Sequence, residues 1–216
     1  NSTYEIYLDT VTVSNPDDYH IYPIQQINLQ YNHAIFQSIN SDIYVSPTGS
    51  NLNSGTSKED PLKSISLALL VASTKNNTNR TINLASGIYS PSTSGEEFPI
   101  VGRSYVSIKG ERVDSTILDG ENENNLIELK NHKNVTLNNF TVQNGNSYLG
   151  GGILVNGQKI LLQNLILKDN YAEKYGGGLY IYNSDKVDLI NLTIAHNSSN
   201  LSNSGGGISV FDGYLK

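Results

Sequence analysis

The chain contains no cysteine, no methionine and no tryptophan. Without cysteine there is no disulfide framework, no thiolate zinc site and no thiol nucleophile. Charge is also scarce: Asp, Glu, Lys and Arg make up 16% of the residues, against about 25% in ordinary globular domains. The balance is acidic, with 14 Lys and Arg against 20 Asp and Glu, a net charge of -6 and a pI near 5.1. A nucleic-acid binder would instead present a basic stripe. No apolar run approaches the ~18 residues that a membrane-spanning helix needs, so this segment is not membrane-embedded. Asn, Ser, Thr, Gly and 14 Tyr supply the polarity that charge does not.

At 216 residues the chain fits one or two domains. No charge block or low-complexity tract reads as a linker. It opens on Asn1 with no charged-then-apolar leader, so we expect either a leader already removed or a longer parent chain.

Self-similarity dominates the second half. Triple glycines stand at Gly150–Gly152, Gly176–Gly178 and Gly205–Gly207, and each is followed by an apolar alternation: Ile153-Leu154-Val155, Leu179-Tyr180-Ile181 and Ile208-Ser209-Val210. A second marker keeps nearly the same period, in Asn139-Phe140-Thr141-Val142, Asn164-Leu165-Ile166-Leu167 and Asn191-Leu192-Thr193-Ile194. Before each asparagine runs another short strand: Val135-Thr136-Leu137, Ile160-Leu161-Leu162 or Val187-Asp188-Leu189. Each period therefore holds three strands of about four residues, separated by Gly, Asn and Ser. None is long enough to stand alone, and stacking equivalent strands at ~4.8 Å solves the problem by lining one continuous core. The pattern predicts an all-β chain, a parallel β-solenoid with three strands per coil.

Asparagine suits the corner between the second and third strands, because it tolerates left-handed φ and bonds to nearby backbone. Stacked, Asn139, Asn164 and Asn191 are expected to form an amide ladder. The glycines mark re-entry into the first strand, where unusual φ or close backbone approach is needed. Less regular coils precede these, beginning near Ile82-Asn83-Leu84 and Gly87-Ile88-Tyr89.

An open stack exposes its core, so its ends need covers. Asp60-Pro61 reads as N-cap and first helical position. Leu62, Ile65, Leu69 and Ala72 then form one apolar stripe up to about Ser73, a capping helix at the N-terminal end. The expected organisation is residues 1–41 as edge strands or a link to a preceding region, 42–80 as the cap, and 81–216 as coils that continue beyond the chain. No lid is visible after Phe211, so the C-terminal end is expected to be open and to favour end-to-end or flank self-association.

On these residues the chain resembles the right-handed parallel β-helix proteins of the pectin-lyase-like superfamily. Ile43–Ser50, Asn53–Thr56 and Asp60–Ile65 resemble the motif that opens many secreted bacterial β-helix proteins. The triple-glycine coils resemble the repeats of polymorphic outer membrane protein-like adhesins. The resemblance implies a right-handed coil and a secreted or cell-surface location. It covers lyases, hydrolases, adhesins, tailspikes and stalks, so activity must be argued from a site.

Lyases of this fold, as the resemblance implies, bind Ca²⁺ through acidic clusters and use Arg or Lys as base. The three arginines, Arg80, Arg103 and Arg112, all lie outside the regular coils. The densest acidic stretch, Asp119, Glu121 and Glu123, has alternating oxygen ligands suited to Ca²⁺, without the spacing of an EF-hand. It is the only cofactor candidate, and the chain reads otherwise as having none. His20, His33, His132 and His196 show no ligand spacing. With Ile153 and Val155 inward, the outward columns of the first strand hold Leu154 and Tyr180, then Tyr182 and Phe211. Tyr148 and Tyr175 come from the adjoining loops. Such an aromatic face suits sugar rings or a protein partner, though β-propensity alone also places Tyr on exposed strands. Eight Asn-X-Ser/Thr triplets occur, at Asn1, Asn76, Asn79, Asn134, Asn139, Asn191, Asn197 and Asn200. A glycan is expected to clash at Asn139 and Asn191, while loop sites such as Asn197 stay open to one in a eukaryotic source.

The sequence thus reads as an extracellular adhesive or structural stalk that contacts polysaccharide or a surface protein. The alternatives are a polysaccharide lyase or glycoside hydrolase, and a filament subunit.

Overall fold

Ile127, Leu129, Val135, Leu137, Phe140 and Val142 are fully or almost fully buried, and the residues between them are polar. In the next lap Ile153, Val155, Ile160, Leu162, Leu165 and Leu167 occupy the same positions. Burying such an aliphatic side chain is worth about 1.5–3 kcal/mol, so the register is set by which residues face in. A shift of one residue would turn every one of them to solvent.

The computed structural model describes residues 38–202 and 204–211, together with the backbone of four short upstream strands. These are β1 (Tyr4–Leu8), β2 (Thr12–Val13), β3 (Ile27–Tyr31) and β4 (Ile35–Phe36). β1 pairs with β3 and β2 with β4, both in parallel, and neither pair joins the main sheet. The main body follows with β5 (Ile43–Val45), helix α1 (Ile65–Val71), β6 (Arg80–Leu84), β7 (Gly87–Tyr89), β8 (Ile100–Val101), β9 (Val106–Gly110) and β10 (Thr116–Asp119). Regular laps come next: β11 (Ile127–Gln143), β12 (Asn146–Leu149), β13 (Ile153–Lys168), β14 (Tyr171–Tyr175), β15 (Leu179–Tyr182), β16 (Asp185–Ala195), β17 (Ser198–Ser199) and β18 (Ile208–Phe211).

Every pairing between these named strands is parallel and joins equivalent segments of successive laps. The protein is an all-β right-handed parallel β-helix of about five turns, with a single α-helix among the described residues. Three faces wind round the core. The first runs from β8 through the starts of β11 and β13 to β15 and β18. The second runs from β5 through β6 and β9 to the middle of β11 and β13. The third runs from β7 and β10 to the ends of β11, β13 and β16. Asn139, Asn164 and Asn191 all have positive φ, at 68°, 50° and 51°, and make the corner between the second and third faces.

A fourth element was not expected. The loops between third and first faces also stack, as a parallel sheet of β12, β14 and β17. These loop segments share backbone register and not an apolar pattern, so nothing in their composition announces them.

The helix begins later than expected. Ser64, not Asp60, is the N-cap, accepting from the Leu67 N–H at 3.2 Å. Leu62 is drawn alongside β5 instead: its N–H donates to Tyr44 and its carbonyl accepts from Ser46. The Asp60 carboxylate staples the preceding loop, accepting from the Ser54 N–H and hydroxyl at 2.9 and 2.7 Å. α1 packs against β5, β6 and β8 with Ile65, Ala68, Leu69 and Val71 buried. Its two ends are clamped by residues on either side of β8. The buried Glu96 carboxylate accepts from the Ile65 and Ser66 N–H groups and the Ser64 and Ser66 hydroxyls at 2.7–3.2 Å. The Arg103 guanidinium donates to the Leu69 and Leu70 carbonyls, both at 3.2 Å. An acid at the N-terminal end and a base at the C-terminal end both complement the helix dipole.

At the far end Leu189, Leu192, Ile194 and Ile208 are only partly buried. Among the described residues no strand pairs with the outer edge of β16 or β18.

Candidate functional site: a tyrosine strip on the first face

The first face carries the expected columns, because Leu154, Tyr180 and Ser209 are in register, as are Tyr182 and Phe211. Their exposure differs from expectation. Leu154 and Tyr180 point away from the core yet are only 4% and 6% exposed. The stacked loops cover them: a Cβ at Gly150 would lie 3.1 Å from the Leu154 Cβ, and the Tyr175 ring stacks on Tyr180. Leu154 is therefore no surface contact, and Tyr180 is the floor of the strip.

The rings form a continuous run. Tyr175 and Tyr180 have centroids 5.5 Å apart and planes at 20°, and Tyr180 and Tyr182 follow at 5.4 Å and 14°. These are offset-stacked distances for aromatic pairs. Tyr182 and Phe211 are register partners on adjacent strands, and Phe211 is 59% exposed. On the loop sheet, Tyr148 is 52% exposed and the Lys174 ammonium lies 4.8 Å from its ring centroid. Hydrogen bonding to Tyr148 raises the Lys174 pKa, which keeps it cationic. The strip thus offers flat apolar rings with hydroxyls, plus one cation at its edge. Lower on the same face the column turns polar, with Glu128 and Lys130 paired at 2.9 Å.

The asparagine corner is tied lap to lap. Asn191 Nδ2 donates to Asn164 Oδ1 at 2.7 Å, but Asn164 Nδ2 donates to Asn138 rather than Asn139, at 3.1 Å. Asn139 turns its amide down to the Gly110 and Glu111 carbonyls at 3.0 and 2.8 Å. The irregular lap below offers free carbonyls there and no matching asparagine.

A second asparagine column went unread. Asn170 and Asn197 sit after the third face, in the lap position of Gly145. Asn170 Oδ1 accepts from Gly145 N–H at 2.8 Å, and its Nδ2 donates to the Val142 carbonyl at 3.1 Å. Asn197 Nδ2 donates to the Leu167 carbonyl at 2.8 Å. The signal was an asparagine 27 residues from its counterpart, one position before each loop strand.

The acidic stretch acts as a set of staples. Asp119 accepts from Gln143 Nε2 and Asn144 Nδ2 at 2.6 and 2.9 Å, one lap away. Glu121 accepts from the Ser90 hydroxyl at 2.6 Å and from the Ser92 hydroxyl and N–H. These hydroxyls hold its carboxyl below the ordinary glutamate range. Glu123 lies in the same exposed turn. No group of three or more metal-ligating side chains gathers among the described residues.

His132 is half-buried beside Arg103, and its pKa is lowered by burial and then by that charge. His196 is exposed, 3.6 Å from Asp169. His20 and His33 lie outside the described residues. Arg112 pairs with Asp114 on the surface at 2.7 Å. A cleft of about 620 Å³ beside the cap is lined by Tyr44, Asn53, Lys58, Asn83, Lys109 and Glu111, among others. No motif announces it, because it joins a loop at 46–61 to strands of later laps.

Comparison with known families finds one whose description reads "Protein of unknown function (DUF1565)", matching residues 47–213. No curated protein and no solved structure matches.

Proposed function

The chain belongs to the DUF1565 family, and from that premise we propose that it is an extracellular or cell-surface β-helix that binds polysaccharide along its tyrosine strip. A β-helix suits a structural or binding role, since each lap adds only rigid length and surface. The observation that carries the reading is the unbroken run Tyr175–Tyr180–Tyr182, flanked by exposed Tyr148 and Phe211. Tyr175, Tyr180 and Tyr182 lie within one lap, and Phe211 adds a ring on the next, about 4.8 Å further along; flat aromatic faces match the apolar faces of pyranose rings. The resemblance of the triple-glycine coils to surface adhesins supports the same location.

Binding to a panel of immobilised polysaccharides tests it. Tyr148→Ala with Tyr182→Ala should lower retention at least tenfold, with the far-ultraviolet dichroism and melting temperature unchanged. Both side chains lie on the outer surface, so neither should be needed for folding. Equal retention of wild type and variant would sink the proposal. Release of unsaturated or reducing sugar from the same panel would instead favour the lyase or hydrolase alternative.

A further inference from the structure

Asn1 lies outside the described residues, and six of the other seven Asn-X-Ser/Thr triplets fall into two physical groups. Asn139, Asn191 and Asn197 spend their amide nitrogens holding laps together. Asn139 Nδ2 donates both hydrogens, to Gly110 and Glu111. Asn191 Nδ2 donates to Asn164. Asn197 Nδ2 donates to Leu167 and packs so closely on Gly178 that a Cβ there would lie 3.0 Å from it. Asn76, Asn79 and Asn200 are exposed, and their amides have no partner among the described residues. Asn76 belongs to the short 3-10 turn Lys75–Asn77, Asn79 directly precedes β6, and Asn200 directly follows β17. Asn134 belongs with neither group, being half-buried with an unpartnered amide.

We propose that the protein carries N-linked glycans at the Asn76/Asn79 edge and at Asn200, and none at Asn139 or Asn197. The inference rests on the extracellular reading for its compartment, but not on the tyrosine strip. In the transfer, the amide Nδ2 forms a bond to the sugar C1, one amide proton is lost, and a lipid pyrophosphate leaves the donor oligosaccharide. That nitrogen must then keep a single hydrogen and an open side. Asn139 has neither to spare, and at Asn197 the neighbouring lap fills the space. At Asn76, Asn79 and Asn200 the new sugar projects into water and breaks no bond between laps. Asn76 and Asn79 stand three residues apart, so a first glycan hinders the second and that edge takes one per molecule. Asn197, a loop site left open by the sequence, is occupied instead by the bonds of the second asparagine column.

The test is to secrete the chain from a eukaryotic cell behind a heterologous signal and map glycopeptides by mass spectrometry, before and after endoglycosidase. Glycan should appear on the peptides holding Asn76/Asn79 and Asn200. Asn76→Gln with Asn79→Gln and Asn200→Gln should abolish the endoglycosidase shift while secretion continues. Asn139→Gln and Asn197→Gln should leave the shift intact and lower the secreted yield. Sugar on Asn139 or Asn197 in the secreted fraction, or no shift in the wild type, would overturn the proposal. Failure of the same material to bind polysaccharide would count against the tyrosine strip alone.

Discussion

Asn197 Oδ1 accepts two hydrogen bonds from Asn170 one lap below, from its backbone N–H at 3.0 Å and from its Nδ2 at 2.9 Å. Asn170 passes the same arrangement downward, to the Gly145 N–H and the Val142 carbonyl. One buried side-chain amide therefore serves three groups and ties three laps together. Asn170→Ala leaves the Gly145 N–H without the acceptor it has here, at a cost of about 1–3 kcal/mol, and also removes the bonds to the Val142 carbonyl and to Asn197. A loss of about 2–4 kcal/mol is expected in urea unfolding, and a change under ~0.5 kcal/mol would show that Asn170 does not hold the laps.

The middle glycine of each triplet is fixed by close approach of backbone to backbone. A Cβ on Gly177 would stand 2.1 Å from the Ser198 carbonyl oxygen and 2.6 Å from that of Gly206. No side-chain movement relieves that contact. Gly207, by contrast, would meet only the Ile194 Cγ2 at 3.0 Å. Gly177→Ala should therefore lower the melting temperature by at least ~5 °C, while Gly207→Ala should change it by less than half as much. Equal effects would mean that the triplets serve some other purpose than lap spacing.

Glu96 and the helix it caps form a separable unit. Glu96→Ala strands the Ile65 N–H, which donates to it at 2.7 Å in a buried setting. Amide exchange should quicken at Ile65–Leu67 by about tenfold or more, equivalent to ~1.4 kcal/mol. Protection in β11 and β13 should hold, since neither strand touches the carboxylate. A uniform rise in exchange across the chain would instead mean that cap and coils unfold as one.

Acid should loosen the molecule in two steps. The His132 pKa lies below its ordinary 6.5, so its contribution is full above that value and fades as pH falls beneath it. Asp60, Glu111 and Glu121 are held below 3.8, 4.5 and 4.5 by bonds from Ser54, Ser86 and Ser90. Their contribution is present above those values and lost as pH drops through the lower folded ones. Melting temperature should decline gently below pH 6.5 and steeply only beneath 4.5. In His132→Asn the first decline should vanish and the second remain, and a single decline insensitive to that substitution would refute the assignment.

The laps were readable because inward positions repeat with both period and chemistry: Phe140, Leu165 and Leu192 keep the same offset from an asparagine. The cap helix was readable as a stripe, but its start was not, since Leu62 obeys strand contacts with Tyr44 and Ser46 that lie far back in the chain. Alternation correctly turned Leu154 and Tyr180 outward. It could not show that a loop sheet lies over them, because β12, β14 and β17 are held by backbone bonds that any composition can make. The Lys58–Lys109 cleft depends on which loop settles against which lap, and that is invisible along a single strand.

The covering sheet of β12, β14 and β17 has a consequence for change in length. Since the circuit that carries Tyr175, Tyr180 and Tyr182 holds both a loop strand and a first-face strand, duplicating that circuit of 27 residues inserts a matching pair of both. Such a molecule grows as a colonnade does, by whole bays. Under the proposed polysaccharide binding, the grip would scale with the number of bays, without any need to redesign the joint between them.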